Sequence, residues 1–227
     1  MLVNISLYYW ILSTAGGASK HLSLSHMNDV QQMWNERYGA KEYVFGIEPN
    51  DFLREQALKL QPGRVLSLGE GEGRNAVWLA TQGFDVWSVD VSPIGVDKTL
   101  KLAESHGVTV HASVGDLADY VIVPTSWDVI ISIFAHTPPL IRRRIHQQVV
   151  KGLRLGGVYI LEAYTPAQIA FGTGGPKDPS LMPTAELLAN ELSGLQFDLL
   201  HELTRDVVEG SFHTGQAAVV QVSAKCR

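Results

Sequence analysis

The sequence predicts an α/β protein: a doubly wound, mostly parallel sheet of seven strands between two layers of helices, with an antiparallel C-terminal strand. From Arg64 onward, short apolar and β-branched runs alternate with longer helical patterns, which is typical of a parallel sheet covered on both faces. A strand that enters a glycine-rich turn and then a helix begins this alternation. The last two β runs have no room for a helical crossover between them, so they are expected to pair antiparallel.

Each predicted element follows from local pattern. The strands are expected at residues 65–68, 85–89, 109–112, 127–133, 158–163, 197–203 and 216–224, with polar and glycine residues 204–215 between the last two. Helices are expected at residues 50–60, 73–82, 93–106, 138–153 and 184–192, because these segments have helical periodicity and several begin near a proline or end before a glycine. Residues 165–183 are rich in glycine and proline and are expected to form a long loop.

Composition narrows the class of protein. The chain has 227 residues, of which 45% are hydrophobic and 18% charged, and this suits one compact domain. The net charge of −5 provides no general field for a polyanion, so no nucleic-acid partner is expected. The one dense cationic run, residues 142–144, is expected to be the solvated face of a helix. Cys226 is the only cysteine and the histidines lack ligand spacing, so we expect no disulfide, no metal site and a reducing cytoplasm.

The first 26 residues differ from the rest. Residues 2–12 form a largely apolar run, but a membrane-spanning helix needs about 20 such residues, so no membrane association is expected. No Lys or Arg precedes Leu12, which disfavours a secretory signal. Met27 is the more natural start. We therefore interpret residues 1–26 as an upstream or cloning-derived extension, poorly ordered or loosely docked, and residues 27–227 as the domain.

The main chemical signal is the turn after the first strand, which consists of Gly69, Glu70, Gly71, Glu72 and Gly73. Glycines let a ligand approach the backbone closely, and the helix that follows offers unpaired N–H groups. Arg74 and Asn75 open this helix. A dinucleotide fingerprint would require glycine at position 74, so the turn departs from that pattern.

Two further elements follow the next strands. Asp90 lies 21 positions beyond Gly69 at the end of the second strand, where a carboxylate can accept hydrogen bonds from both ribose hydroxyls of a nucleoside. Gly115, Asp116 and Leu117 follow the third strand and can offer a carboxylate and an N–H to an adenine edge. Aspartates are also common in turns, and that reading stays open for both. The carboxylates of the glycine turn would repel a pyrophosphate but tolerate a sulfonium.

These motifs resemble those of class I S-adenosylmethionine-dependent methyltransferases, which have a Rossmann-like fold. The sequence is more narrowly similar to the branch that includes tellurite-resistance and thiopurine methyltransferases, and the resemblance covers about residues 28–225. It rests on the turn 69–73, Asp90, Gly115-Asp116-Leu117, Trp127-Asp128-Val129, Leu153-Arg154-Leu155-Gly156-Gly157, and the branch markers Trp34-Asn35-Glu36-Arg37-Tyr38, Phe45-Gly46, Pro49-Asn50 and Gly172-Thr173-Gly174-Gly175-Pro176-Lys177-Asp178-Pro179.

The resemblance implies a binding site for S-adenosylmethionine. The three glycines of the turn would wrap its methionine part, Asp90 would bind the ribose, and Asp116 with Leu117 the adenine. Tyr38 and Phe45 would cover the sulfonium. The remaining expected cofactor residues are Arg74, Asn75, Val91, Ser92, Gly115 and Phe134. Many members of the class have an acidic residue two positions before the first glycine, whereas this chain has Ser67, and we expect Glu70 to contact the cofactor's ammonium group instead.

Methyl transfer from a sulfonium is an in-line displacement, so the protein mainly positions reactants and excludes water. A thiolate or a selenium, tellurium or arsenic oxyanion needs little help, whereas a neutral hydroxyl or amine needs a base. His136, Tyr164 and His213 are the candidates for facing the methyl group. Residues 134–139 lack the Asn/Asp-Pro-Pro-aromatic motif of enzymes that methylate exocyclic base nitrogens. We therefore expect a small-molecule acceptor, most simply a soft nucleophile.

Two other classes stay open. A nicotinamide-dependent oxidoreductase is disfavoured by Arg74 and by the carboxylates of the turn. A nucleoside-binding module without catalysis is compatible with the same turn and with the glycine-rich residues 172–176.

Overall fold

A computed structural model describes residues 19–210 and 213–227, except for the side chains of residues 19–28. The helices are α1 (Ser19–Tyr38), α2 (Asp51–Ala57), α3 (Arg74–Thr81), α4 (Pro93–Ser105), α5 (Pro139–Gly152) and α6 (Ala185–Glu191). The strands are β1 (Arg64–Leu68), β2 (Asp85–Asp90), β3 (Val110–Val114), β4 (Trp127–Ile133), β5 (Leu153–Tyr164), β6 (Gln196–Glu209) and β7 (His213–Lys225).

The seven strands form one sheet in the order β3-β2-β1-β4-β5-β7-β6. Strands β1 to β5 are parallel, and β7 is antiparallel to both of its neighbours, β5 and β6. The predicted fold class is confirmed. Because the strand order reverses between β1 and β4, the carboxyl ends of these two strands border the crevice in which open α/β sheets bind ligands.

Alternating side chains of the strands build two cores, one on each face of the sheet. Leu66 and Leu68 of β1 pack with α5 and α6 on one face. Val65 of the same strand packs on the other face, in a cluster with α2, α3 and α4. The period-two alternation of a strand produces this division, and it gives the three layers that the sequence predicts.

Side-chain caps set where several helices begin. Asn50, Ser92 and Thr184 each accept a hydrogen bond from a backbone N–H in the first turn of the helix that follows. Such caps satisfy N–H groups that have no partner within the helix. The helix predicted at residues 184–192 is thereby confirmed with Thr184 as its cap.

Two predicted boundaries are wrong, and the predicted loop is not wholly irregular. Strand β5 begins at Leu153, directly after α5, rather than at residue 158. The residues between the last two strands belong largely to β6 and β7, whose register continues to the pair Glu209 and His213. The predicted long loop contains two short 3-10 helices, Pro166–Ala170 and Pro179–Leu181. In the first two cases pairing with a neighbouring strand overrides a local sequence that is rich in glycine and polar residues.

The arginine run on α5 is also not the solvated face that the sequence predicts. Arg142 is 6% exposed, and its guanidinium donates to Glu191 and to the Ser180 carbonyl. Arg144 donates to the carbonyls of Leu117 and Tyr120. Only Arg143 is exposed. Two of the three arginines therefore tie loops at the carboxyl edge of the sheet to α5.

The predicted N-terminal extension lies partly outside the described residues, since residues 1–18 are not described. Helix α1 runs from Ser19 to Tyr38 and so continues through position 26. Within the described part of the chain, no helix combines the length and the apolar character needed to cross a bilayer.

Candidate active site

The glycine turn lies at the point where the sheet's strand order reverses. Gly69 and Gly71 have φ values of +64° and +73°, in the left-handed region that favours glycine. A Cβ on Gly69 would lie 2.8 Å from the Cβ of Ala135, which follows β4, so the two strand ends approach closely. The N–H groups of Gly69 and Glu70 both donate to the Val89 carbonyl of β2. Neighbouring strands therefore hold the turn at the mouth of the crevice.

Glu70 has a structural role that the sequence does not predict. One carboxylate oxygen accepts the N–H groups of Asn75 and Ala76, at 3.0 and 2.9 Å, and the other accepts the Ser67 hydroxyl. Burial raises the pKa of this carboxyl group. Glu70 thus caps α3 from within the turn, and three of its hydrogen-bonding positions are used. The predicted contact with the cofactor's ammonium group is not supported by this arrangement.

Asp90 ends β2 beside the turn, with 7% of its surface exposed. Its two oxygens accept the N–H groups of Gly71 and Ser92, at 2.8 and 2.9 Å. The Val91 N–H also contributes a hydrogen bond, and because a carboxylate can accept about four, Asp90 keeps capacity for a ligand hydroxyl. Burial raises the pKa of Asp90 to about 6. The structure therefore places this carboxylate against the glycine turn, as the spacing of 21 residues predicts.

Helix α1 covers the turn. Tyr38 is 4% exposed, and its hydroxyl oxygen lies 2.8 Å from the position that a Cβ on Gly71 would occupy. Gln31 donates to the Val91 carbonyl, and the Ser92 hydroxyl donates to Asn35 of the same helix. Tyr38 thus lies over the turn, and Val91 and Ser92, which the sequence assigns to the cofactor, also hold α1 in place.

The charge beside Tyr38 is negative. Burial raises the pKa of its hydroxyl well above the ordinary value, and the carboxylates of Asp90, Glu72 and Glu70 raise it further. Glu72 is buried, accepts the Lys98 ammonium at 2.7 Å and accepts the Phe45 N–H at 3.3 Å. This end of the crevice therefore favours a cation.

The segment after β3 joins the same edge of the sheet. Gly115 donates its N–H to the Asp90 carbonyl at 2.8 Å. One oxygen of Asp116 accepts the Ala118 N–H at 2.7 Å, so this residue does stabilise a turn, which is the alternative interpretation of its position. Leu117 lies 3.8 Å from the position of a Cβ on Gly69. The three residues predicted for adenine thus border the crevice next to Asp90 and Gly69.

An aromatic cage adjoins the turn and consists of Phe45, Phe134, His136, Tyr164 and His213. The His213 ring lies 4.7 Å from Phe45, 5.0 Å from Phe134 and 5.3 Å from Tyr164, as measured between ring centroids. The rings of His136 and Tyr164 stack at 5.6 Å. Phe45 lies in the loop after α1, and Phe134 and His136 follow β4. Tyr164 ends β5, and His213 begins β7. All three predicted catalytic residues therefore meet in one place.

His136 is not free to act as the base that the sequence predicts. Its Nε2 accepts the Tyr164 N–H at 3.0 Å, so the basic lone pair of the neutral ring is already used. Burial lowers the pKa of this imidazole to about 4. Tyr164 is 1% exposed, and burial raises the pKa of its hydroxyl, so it stays protonated. His136 joins the ends of β4 and β5, and Tyr164 forms a wall of the cage.

His213 keeps an unused ring nitrogen. Its Nδ1 is buried and has no hydrogen-bond partner among the described residues. Burial, together with the charges of Arg74, His136 and Arg37, lowers the pKa of this imidazole to about 3. The ring is therefore neutral at physiological pH. Its place among three aromatic rings makes it a residue that can contact an acceptor molecule.

A buried ionic network supports the cage and was missed from the sequence. Glu162 is fully buried and accepts hydrogen bonds from Arg205, Asn50 and Gln221. Glu209 accepts from Asn50, Arg205 and Arg74. A carboxylate within the apolar run of residues 158–164 is the one signal that indicates a buried partner, because an ionised carboxylate is rarely buried unpaired.

Other residues at the site were identified only as family markers. Trp34 stacks on Tyr38 at 5.3 Å and lies 6.5 Å from Phe45, so it extends the aromatic cover over the turn. The guanidinium of Arg37 lies 4.8 Å from the centre of the Trp34 ring. Within residues 19–210 and 213–227, no group of three or more His, Cys, Asp or Glu side chains is placed to hold a metal ion.

Comparisons with known proteins agree with this geometry. Residues 65–157, from β1 to the start of β5, match a family model described as a methyltransferase domain. Among curated proteins, a segment of 65 residues is 35% identical to Hemagglutinin 1 of Eikenella corrodens. That segment is 29% of this chain and 22% of the relative's length, so it spans less than a quarter of that protein.

Solved structures share the fold over most of the chain. A protein solved in a study of the conversion of a disulfide bond into a thioacetal group during echinomycin biosynthesis has a TM-score of 0.69 at 18% identity, covering 87% of this chain and 92% of that one. TehB from Haemophilus influenzae has a TM-score of 0.65 at 16% identity, covering 87% and 67%. Geranyl diphosphate C-methyltransferase from Streptomyces coelicolor A3(2), solved with S-adenosyl-L-homocysteine, has a TM-score of 0.61 at 15% identity, covering 88% and 97%.

The fold is therefore that of the class I S-adenosylmethionine-dependent methyltransferases, and its central segment matches the methyltransferase-domain model. At these identities the solved structures establish the fold alone.

Proposed function

We propose that this protein transfers the methyl group of S-adenosylmethionine to a small acceptor bound in the aromatic cage. The observation that carries the proposal is the pairing of Asp90 with the N–H of Gly71, directly beside a turn whose backbone only glycine fits. This pairing lies at the reversal of strand order, and the cage adjoins it. Support comes also from the methyltransferase-domain match over residues 65–157.

The residues present fit the cofactor. Asp90 keeps acceptor capacity for a ribose hydroxyl, and the turn carries no side chain at Gly69 and Gly71, so a ligand chain meets bare backbone there. The carboxylates near Tyr38 favour a positively charged ligand over a pyrophosphate. Residues 115–117 border the place of the base. Tyr38 and Phe45 cover the sulfonium, as the resemblance implies, and Trp34 extends that cover.

When bound, S-adenosylmethionine supplies a methyl carbon that the acceptor's lone pair attacks while the carbon–sulfur bond breaks and leaves its electron pair on sulfur. The protein's part is to align the acceptor with that carbon and to exclude water. The cage provides walls of Phe45, Phe134 and Tyr164 for this purpose. It has no strong base, because both of its histidines are only weakly basic.

A site without a strong base suits an acceptor that is already nucleophilic. We therefore infer that the acceptor is a soft nucleophile, either a thiol or an oxyanion of selenium, tellurium or arsenic. The study in which one protein of this fold was solved concerns the conversion of a disulfide bond into a thioacetal group, which is sulfur chemistry.

One experiment tests the proposal. The purified chain is titrated by calorimetry with S-adenosylhomocysteine and with NAD⁺, and then incubated with methyl-labelled S-adenosylmethionine and a panel of small thiols, selenite, tellurite and arsenite. We expect binding of S-adenosylhomocysteine alone and label transfer to at least one soft acceptor. Binding of NAD⁺ in its place would refute the proposed class of enzyme. Cofactor binding without transfer to any acceptor would favour the nucleoside-binding module.

A further inference from the structure

Two buried polar atoms without hydrogen-bond partners lie at the aromatic cage. They are Nη1 of Arg74 and Nδ1 of His213, both without a partner among the described residues. The Arg74 side chain is 7% exposed. Buried polar atoms in proteins usually have a partner, and a molecule bound at the cage would supply one to this pair; three further such atoms among the described residues belong to Arg54, Trp127 and Tyr159.

The guanidinium of Arg74 reaches the end of the C-terminal strand pair, because it donates to Glu209, whose register partner in β7 is His213. The Arg74 backbone opens α3 behind Gly73, but its side chain points away from that helix toward the end of β6, where Nη2 donates to Glu209. Its positive charge acts on the neighbouring cage residues: burial raises the pKa of Tyr164 and lowers that of His213, and the charge of Arg74 lowers both. The other terminal nitrogen of the guanidinium, Nη1, makes no hydrogen bond to Glu209.

The turn and the cage differ in the charges that act on them. Burial raises the pKa of Tyr38 at the turn, and the carboxylates of Asp90, Glu72 and Glu70 raise it further. In the cage, Arg74 and Arg37 act on His213 as positive charges, whereas Glu209 and Glu162 act on Tyr164 more strongly than Arg205 and Arg74 do. The feature of the cage that suits an anion is therefore the unpaired Nη1 donor of Arg74.

We propose that the acceptor is bound as a small anion that accepts a hydrogen bond from Arg74 Nη1, and that Arg74 is thereby the specificity-determining residue of the acceptor pocket. This inference rests on the proposed function. A guanidinium fork suits the role, because one arm can hold Glu209 while the other binds the ligand. Glu209 and its network position the fork.

The proposal also accounts for release of the product. An anionic acceptor that gains a methyl group loses one negative charge, and no proton has to move. The methylated product is then a poorer acceptor of the Arg74 hydrogen bond than the substrate. An ion pair with the guanidinium becomes a hydrogen bond between an ion and a neutral molecule, so the product dissociates more readily.

The test measures anion binding to the complex with S-adenosylhomocysteine, in which no methyl transfer occurs. Two probes are used: 4-nitrothiophenolate, followed by its visible absorbance, and selenite, followed by calorimetry. The neutral compound 4-nitrothioanisole is the methylated counterpart of the first probe. Arg74→Lys keeps the charge and the partner Glu209 but removes the fork. The double variant Arg74→Gln with Glu209→Gln removes both charges of the pair together. Arg143→Gln removes an exposed arginine and is the matched control.

We expect the wild type and Arg143→Gln to bind both anions. Both Arg74 variants should bind them at least about 10-fold more weakly, because a hydrogen bond to a charged group is lost. Their affinity for S-adenosylhomocysteine and for 4-nitrothioanisole should change by less than about 2-fold. Thermal unfolding of each variant confirms that it is folded.

Three results would overturn the inference. In the first, the Arg74 variants lose affinity for S-adenosylhomocysteine but keep the anions, which would assign Arg74 to the cofactor's carboxylate. In the second, the wild-type complex binds neither anion. In the third, the neutral thioether is weakened as much as the thiolate. All three leave the proposed function standing, whereas a wild type that binds no S-adenosylhomocysteine refutes the proposed function itself.

Discussion

Replacing Glu162 by Gln tests whether the buried ionic network holds the C-terminal hairpin on the site. Glu162 is fully buried in β5, and its two oxygens accept four hydrogen bonds. Arg205 donates two, at 2.8 and 2.7 Å, and Asn50 and Gln221 donate one each. Gln has one side-chain oxygen and can therefore accept only the hydrogen bonds that go to that atom. Its NH₂ group replaces the other oxygen and faces two donors, with which it cannot form hydrogen bonds.

The expected cost follows from that geometry. The substitution removes the negative charge opposite Arg205 and about two hydrogen bonds, each worth about 1.5–3 kcal/mol when a charged group is involved. Breaking a buried ion pair by removing one partner costs about 3–5 kcal/mol, which agrees with that sum. For a chain of this size, 1 kcal/mol corresponds to a shift in Tm of about 2–4 °C, so we expect Tm to fall by about 6–20 °C.

The assay is thermal and urea unfolding followed by circular dichroism. Glu55→Gln is the matched control, because Glu55 pairs with Lys59 on the surface, where both side chains are more than half exposed. That control should lose no more than about 0.5 kcal/mol. If Glu162→Gln unfolds within about 1 kcal/mol of the control, the carboxylate contributes no net stability and the reasoning about the network is refuted.

Three further predictions concern the site. Burial raises the pKa of Asp90 to about 6 in the free protein, so affinity for S-adenosylhomocysteine should fall about tenfold per pH unit as pH drops below 6. Calorimetry from pH 5 to 7.5 should show this slope, and a slope retained in Asp90→Asn would assign it to another group. Gly71→Ala and Gly107→Ala both place alanine at a strained positive φ, but only the first places a Cβ 2.8 Å from the Tyr38 hydroxyl oxygen. Gly71→Ala alone should therefore lose affinity for S-adenosylhomocysteine, by about tenfold or more, and equal losses in both variants would contradict the assignment of the turn. His213→Ala should lower kcat for a soft acceptor by about tenfold or more and leave cofactor affinity within about twofold. His106 is exposed, so His106→Ala is the control, and unchanged kinetics in His213→Ala would show that His213 is not part of the acceptor pocket.

The sequence predicted those parts of the site that are coded within one local segment. The glycine turn, its distance to Asp90 and the placement of residues 115–117 after β3 follow from the strand pattern, because parallel strands bring their carboxyl ends to one edge. His136 and Tyr164 were found by the same argument and His213 from its place in the last turn, and the structure brings the three together.

Roles within the site were predicted less well, because they depend on which hydrogen bonds are already used. Glu70 has the charge to contact an ammonium group, but one of its oxygens is used to cap α3. His136 has the chemistry of a base, but its Nε2 accepts the Tyr164 N–H. Nothing in the local sequence at either position shows these partners.

By itself, the sequence determined the order of strands and helices, the antiparallel C-terminal pair and the crevice at residues 69 and 90, since periodicity, glycine and cap residues act over a few positions. Only the tertiary structure decided that Arg74 meets Glu209, 135 residues away, and that Asn50 meets Glu162, 112 residues away. Such pairs arise because a buried charge must find its partner wherever packing brings one within reach, whatever its distance along the chain.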